Sequence, residues 1–377
     1  MLTHFIQALA TTAAAVQSDQ VVGEGPDFFP PQASTIAETT DHIYLFIFWV
    51  SLVSFCILIG VTAYFVWKYR ARDGHQAEWT SPHNNLLEVT WTVIPTIIVV
   101  FIFWFGMKGF LDLRQPPGDA LNVQVVAQKW SWKFVYPNGA EDVGLHVPVG
   151  RPVRLTMTSV DVLHSLSIPA FRVKQDVVPG RYTTLWFDAK DGLLKDGEDV
   201  HVLDLFCTEY CGENHSKMLS QVFVHTDEDF ARWAAEAANF IGNMSQYEAG
   251  RKQFIVSGCN SCHEVTAETK IGPGLLNVSQ AIKDGGTIPL ADGSTVPANL
   301  EYLRESILNA NVKIHAGFTN QMPLFQGQLR NDQLGVLTTY ILGQADESYR
   351  SLGVWGAAEE NGGGEGQPAE GSEGSGE

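Results

Sequence analysis

Cys207-Thr-Glu-Tyr-Cys211-Gly-Glu-Asn-His215-Ser-Lys-Met218 places two thiols, an imidazole and a thioether within twelve residues. Soft sulfur ligands with imidazole select copper, zinc or iron–sulfur over calcium and magnesium. The thioether speaks against zinc, whose usual sites take Cys, His and carboxylate. A C-x3-C alone is also compatible with a disulfide or with two unrelated thiols. The His at +4 and the Met at +7 favour a metal loop. A second run, Cys259-Asn-Ser-Cys262-His263, has the C-x-x-C-H spacing of covalent haem attachment. There two thiols add to the haem vinyl groups and the adjacent histidine ligates iron. Alone, that run is also the pattern of a redox dithiol or half a zinc site.

The elements that must carry these residues begin with two apolar runs. Ile43 to Trp67 is 25 residues without a charge, longer than the roughly 20 a helix needs to cross a bilayer. Val89 to Met107 is a second run of 19, with Pro95 near its start. A membrane hairpin is therefore expected over 41–111, with spans at about 43–67 and 89–107. Trp67, Tyr69, Trp79 and Trp91 fit an interfacial belt. Lys68, Arg70 and Arg72 follow the first span, which puts the connecting loop on the cytoplasmic side. Residues 1–40 and everything after Leu111 then lie outside. Thr3 to Val16 has the apolar character of a signal-peptide core, without the Lys or Arg that should precede it.

Residues 119–226 alternate with period two. Leu121, Val123 and Val125 alternate with Asn122 and Gln124, and Val153, Leu155 and Met157 alternate with Arg154, Thr156 and Thr158. Turn signals such as Pro137-Asn138-Gly139 and Pro179-Gly180 separate such segments, which predicts an antiparallel sandwich or barrel. The metal loop would join its last strands, Val200 to Phe206 and Ser220 to His225. Thr226 with the acids after it opens a linker helix inside 227–244. Ser245-Gln-Tyr-Glu248 is a capping box that opens another domain, 245–346. Residues 347–377 are expected to form an acidic, Gly- and Glu-rich disordered tail. Ala357 to Glu377 holds six Glu, seven Gly and no Lys or Arg, a composition expected to be disordered.

The loop Cys207-x-Glu209-x-Cys211-x3-His215-x2-Met218, with His164 in Asp-Val-Leu-His-Ser upstream, resembles subunit II of the haem–copper respiratory oxidases. The resemblance implies a binuclear copper A centre. Cys207 and Cys211 would be bridging thiolates and His164 and His215 terminal ligands. Met218 and the Glu209 backbone carbonyl would complete the shell. It implies a cupredoxin-like Greek-key barrel for 119–226. It also implies magnesium on the Glu209 side chain at the contact with subunit I. Trp130, in an aromatic stretch, matches the family's surface entrance for electrons, although the preceding pair reads Gln128-Lys129 rather than His-Gln. Glu88, before Val-Thr-Trp-Thr-Val-Ile-Pro95, matches a residue at the mouth of a proton path. An acid there also suits a helix N-terminus.

Residues 245–346 resemble small cytochromes c, an all-α fold. Ile271-Gly272-Pro273-Gly274 resembles the loop that braces the haem histidine, and Gln321-Met322-Pro323 resembles the distal loop. This implies a covalent haem c held by Cys259, Cys262, His263 and Met322. Tyr340 would pack near Gly250 and Phe254. The departure is Asp284 to Pro297, where Ala-Asp-Gly-Ser suggests an inserted hairpin.

The expectation is a multidomain oxidase subunit in a bacterial cell membrane. It would take electrons at haem c and pass them through copper A to subunit I for oxygen reduction. Its partners would be subunit I, subunit III, the lipid bilayer and a donor such as a cytochrome c, a copper protein or a quinol-oxidising complex. The copper A subunit of a nitric oxide reductase and a membrane-tethered copper delivery protein are the other readings. The balance of 24 Lys and Arg against 42 Asp and Glu disfavours nucleic acid and favours a basic partner. Of five cysteines, Cys56 lies in an apolar run and reads as a packed small hydrophobe. His42, His75, His83, His146, His201, His225 and His315 have no ligand partner at motif spacing and read as surface or satisfied core residues.

Overall fold

The computed structural model describes residues 29–74, 76, 82–195 and 197–355. The signal-peptide reading of 1–20, His75, Trp79 and the Gly/Glu-rich stretch from 356 lie outside the described residues. Residues 347–355 of the expected disordered tail are instead ordered, because Glu347–Ser351 form a capped turn and Arg350 Nε donates to Gly343 O at 2.6 Å. The chain divides into two compact units, Met1–Ala238 with Ile255–Ser261, and Asn239–Phe254 with Cys262–Glu377.

The first unit begins with α1 (Thr35–Lys68) and α2 (Asn85–Arg114). Both outrun the uncharged spans because their ends are capped beyond them. The Ala37 N–H donates to Ser34 Oγ at 3.1 Å, and the Leu87 N–H to Asn84 Oδ1 at 3.2 Å. Glu88 Oε1 accepts the Asn84 N–H at 3.1 Å, which makes that cap reciprocal. Trp49, Leu58, Val66 and Trp104 on these helices are exposed. Side chains of this size on the uncharged spans of these helices require cover from lipid or other subunits. Cys56 is exposed as well, and so is not packed within the chain as its apolar neighbours suggested. It sits on a helix whose surroundings are the membrane rather than a core.

Ten strands follow: β1 (Leu121–Gln128), β2 (Ser131–Val135), β3 (Glu141–Asp142), β4 (Leu145–Pro148), β5 (Pro152–Ser159), β6 (His164–Ile168), β7 (Val173–Val177), β8 (Thr183–Asp188), β9 (Val200–Cys207) and β10 (Leu219–His225). They form two five-stranded sheets, ordered β3-β2-β1-β5-β8 and β4-β10-β9-β6-β7. Val123, Val125, Leu155 and Met157, the alternating residues of β1 and β5, are fully buried. Each sheet contains one parallel pair, β1 with β5 and β10 with β4. The alternation had suggested antiparallel pairing throughout. Period two reports which face a residue occupies, not strand direction. After β3 the chain leaves the first sheet for β4 in the second, so β5 returns beside β1 running the same way.

The hairpin is fastened to the sandwich. Arg172, at φ 57° in the left-handed region, forms a two-pronged ion pair with Asp41 of α1, both contacts 2.9 Å. Arg172 Nη2 also donates to Pro30 O at 2.7 Å, and Gln32 Nε2 to Asp41 Oδ2 at 2.8 Å. Trp186 Nε1 of β8 donates to Asp112 O of α2 at 3.0 Å. α3 (Asp227–Ala238) lies on the sandwich edge, where Trp233 stacks on His146 with ring centroids 3.8 Å apart. His146 Nδ1 and His225 Nε2 lie 2.8 Å apart, both side chains buried.

The second unit holds α4 (Phe240–Asn243), most of α5 (Gln246–Val256), α6 (Leu275–Lys283), the hairpin β11 (Thr287–Pro289) and β12 (Thr295–Pro297), α7 (Leu300–Leu308) and α8 (Asn331–Leu342). α5 crosses α8 at Gly250, where a Cβ would stand 2.0 Å from Val336 O and 2.7 Å from Tyr340 Cβ. Only glycine allows that approach. Phe254 and Tyr340 meet at 5.5 Å between ring centroids.

Candidate metal centre

β9 and β10 pair antiparallel with Phe206 opposite Leu219, so residues 207–218 form the loop at their end. The loop is closed at its base by the Cys207 N–H donating to Met218 O at 3.2 Å. It is tied to β6 by the Thr208 N–H donating to Ser165 O at 2.9 Å. Leu166 lies opposite Cys207, which brings His164, the first residue of β6, to the loop.

The ligand-type atoms converge. Cys207 Sγ lies 3.8 Å from Cys211 Sγ, 3.9 Å from His164 Nδ1 and 3.3 Å from Glu209 O. Cys211 Sγ lies 3.5 Å from His215 Nδ1 and 3.8 Å from Met218 Sδ. The sulfurs are far beyond the roughly 2.0 Å of a disulfide bond. His164, Cys207 and Cys211 present ligand atoms within 4.8 Å of one another, all three buried. Among the described residues Cys259, Cys262 and His263 form no such group.

The protonation chemistry fits a cation. Burial pushes the Cys207 thiol up, but its hydrogen bonds with His164 and with Ser165 outweigh this and hold it well below its ordinary value. Burial and then the neighbouring Cys207 charge push Cys211 up. Two buried thiols sharing one site therefore resist losing both protons unaided. A bound cation removes that conflict, because it stabilises both thiolates. With two imidazoles, a thioether and a carbonyl around them, the donor set fits copper.

Asp161 has no signature in the sequence. Its Oδ1 accepts from His164 Nε2 at 2.9 Å and from the Val162 N–H at 2.6 Å. Its Oδ2 accepts the Lys129 N–H at 2.7 Å. Burial raises the Asp161 carboxyl, but the hydrogen bonds from His164, Lys129 and Val162 bring it below its ordinary value. An ionised Asp161 places the His164 hydrogen on Nε2 and leaves the Nδ1 lone pair facing Cys207.

Trp130 is 8% exposed. It packs on the metal loop: a Cβ on Gly212 would stand 3.2 Å from its Cζ2. The segment Ile255–Ser261 is tied to the backbone and side chains beside it within the same unit. Ser261 Oγ donates to Trp130 O at 3.5 Å, and Gln128 Nε2 to Ser257 O at 2.7 Å. Glu209 is half-buried, and Glu88 serves the α2 cap described above.

In the second unit His263 Nδ1 lies 3.0 Å from Pro273 O. The carbonyl can only accept, so the hydrogen sits on Nδ1 and Nε2 keeps its lone pair. Burial lowers the His263 pKa, which keeps the ring neutral. A Cβ on Gly272 would stand 2.4 Å from His263 Cε1, so glycine is what lets Gly272-Pro273 cradle the ring. These features suit a histidine that ligates iron through Nε2. Met322 is half-buried in the segment between α7 and α8.

Two family descriptions match the chain. "Cytochrome C oxidase subunit II, transmembrane domain" covers residues 24–108, and "Cytochrome C oxidase subunit II, periplasmic domain" covers 138–224. The cytochrome c oxidase subunit 2 of Thermostichus vulcanus is 30% identical over 267 residues, 56% of this chain and 79% of that protein. The chain belongs to the cytochrome c oxidase subunit II family. The subunit 2 of Cereibacter sphaeroides is 29% identical over 275 residues, 61% of this chain and 88% of that protein. The crystal structure of the periplasmic domain of subunit II (CoxB) of Bradyrhizobium japonicum is 28% identical. It covers 33% of this chain and 96% of its own, with a TM-score of 0.29. Membership makes this chain part of an oxidoreductase complex that contains a subunit I, with two membrane helices and a periplasmic domain. Its role there is electron transfer to the oxidase.

Proposed function

We propose that this chain takes electrons from an external donor at a haem-bearing C-terminal domain and hands them through the Trp130 region and the 207–218 loop to subunit I. The convergence of His164, Cys207, Cys211, His215 and Met218 carries this reading. Cys207 and Cys211 would hold copper as thiolates, His164 and His215 as imidazole ligands, and Met218 with the Glu209 carbonyl as weaker donors. When bound, a copper pair at this loop and a covalent haem supply one-electron redox chemistry. Asp161 holds the His164 proton at Nε2. His164, Cys207, Cys211 and Met218 are buried, which limits the access of water on their side of the loop.

Cys259 and Cys262 would provide the thiols for haem attachment, and His263 and Met322 would hold its iron. The hydrogen bonds that tie Gln128 and the Trp130 carbonyl to Ser257 and Ser261 favour an entrance used from within the chain. The Glu209 carboxylate would hold magnesium where the chain meets subunit I, and Glu88 would serve a proton path. Both belong to this proposal.

Truncation after Phe240 tests the order of transfer. All proposed copper ligands precede residue 219, so copper content should be unchanged. Turnover with a small reductant should persist while turnover with the native donor is lost. Unchanged donor-driven turnover would reduce the C-terminal domain to a side branch.

A further inference from the structure

The β11–β12 hairpin does more than pair with itself. Leu290, just past β11, bridges antiparallel to His315. The Ala291 N–H donates to Ile314 O at 2.9 Å, and the Ala316 N–H to Pro289 O at 2.9 Å. Residues 314–316 are thus laid along the hairpin as a third extended segment. The hairpin itself is anchored. Ile288 and Leu290 are buried with Ala298 and Tyr302 and pack against Ala281 and Ile282 of α6. Its base is closed by the Ala298 N–H donating to Gly286 O at 2.9 Å. A second tether fixes the same stretch from the other side, the ion pair between Lys313 and Glu305 of α7.

What lies beyond gives this arrangement a consequence. From the end of α7 at Leu308 to the start of α8 at Asn331 the chain has no helix or strand of its own. Met322 is in this stretch, six residues past Ala316. A connection of this length without secondary structure samples many conformations unless it is pinned. Past the pinned stretch, Gly317 turns the chain at φ 86° and Phe318 packs edge-on against His315 at 5.5 Å. The Gln326 N–H donates to Leu308 O at 3.0 Å. The free length around Met322 is cut to the few residues between these two fastenings.

We propose that the β11–β12 hairpin is a positioning element for Met322. It holds 314–316 so that the thioether is presented to the haem side of the domain before ligation, without the loop having to order at that moment. The inference rests on the haem reading of this unit. Ile288, Leu290, Ala291 and Pro289 act through the loop and touch no ligand themselves.

The test uses the full-length chain with two variants. One joins Gly286 to Ala298 and removes the hairpin. The other, Ala291→Pro, removes only the N–H that reaches Ile314. Both should keep covalent haem, since Cys259 and Cys262 are untouched. Both should show lost exchange protection of the Ala316 amide, a smaller fraction of Met-ligated ferric haem, and a lower haem potential. External imidazole should bind the ferric haem about tenfold more tightly, because the competing sulfur is present for a smaller fraction of the time. If the excised chain does not fold, Ala291→Pro decides. Faster Ala316 exchange with unchanged Met ligation, potential and imidazole binding overturns the hairpin's role alone. An unaltered chain without covalent haem overturns the haem reading and this inference with it.

Discussion

Asp161 Oδ1 and His164 Nε2 are 2.9 Å apart, and the other oxygen of the same carboxylate accepts the Lys129 N–H at 2.7 Å. One side chain thus orients a proposed copper ligand and the turn leading into Trp130. An outer partner of this kind is worth about 10–100-fold in metal affinity. Asp161→Asn should weaken copper retention by about that factor, read by competition with a copper chelator. It should also move the Trp130 fluorescence, because the Lys129 contact changes. A variant with unaltered copper affinity and fluorescence would show that Asp161 orients neither.

The Asp41–Arg172 pair is buried on both sides, with side chains 3% and 9% exposed. Removing one partner of such a pair leaves an uncompensated charge and costs about 3 kcal/mol or more. Arg172→Ala should lower the thermal midpoint of the purified chain by several degrees. It should also make the segment before α1 more sensitive to protease. Asp41→Asn, which keeps the shape and some hydrogen bonding, should cost less. Equal midpoints for Arg172→Ala and the parent chain would contradict the clamp.

The His146–His225 pair predicts acid lability. Burial lowers the His225 pKa, Asp229 opposes this and Arg232 adds to it. His225 Nδ1 has no hydrogen-bond partner among the described residues. Asp142, 3.9 Å from His146 Nε2, and Tyr136, whose hydroxyl bonds the His146 backbone, are the other titratable groups facing the pair. The unfolded chain takes up the His225 proton below about pH 6.5, before the folded chain does. Stability is therefore complete above that pH and falls as pH drops from there toward the folded value. Between pH 7 and 5 the thermal midpoint should fall more steeply in the parent chain than in His225→Gln. Parallel slopes would remove His225 from the account.

Much of this was legible because it is local. Cys207, Cys211, His215 and Met218 lie within twelve residues, and one loop brings their atoms together. Val123, Val125, Leu155 and Met157 declared their face by alternation, and Gly250 marked the helix crossing. What could not be read depends on partners far apart in the chain. Arg172 meets Asp41 across 131 residues, and His146 meets His225 across 79. Each side chain alone looks like a surface charge or a core histidine. Asp161 is three residues from His164, yet an Asp-x-x-His carries no signal until the turn into β6 aims the carboxylate. The ties of Gln128 to Ser257 and of Trp130 O to Ser261 were hidden for the same reason, spanning 129 and 131 residues.

The most direct measurement is copper and covalent haem content of the purified full-length chain, with its spin-resonance spectrum. Two coppers and one haem per chain are expected. So is a signal from one electron shared by both coppers, absent in Cys207→Ser and Cys211→Ser. One copper per chain with the spectrum of a mononuclear blue site would contradict a copper pair at this loop.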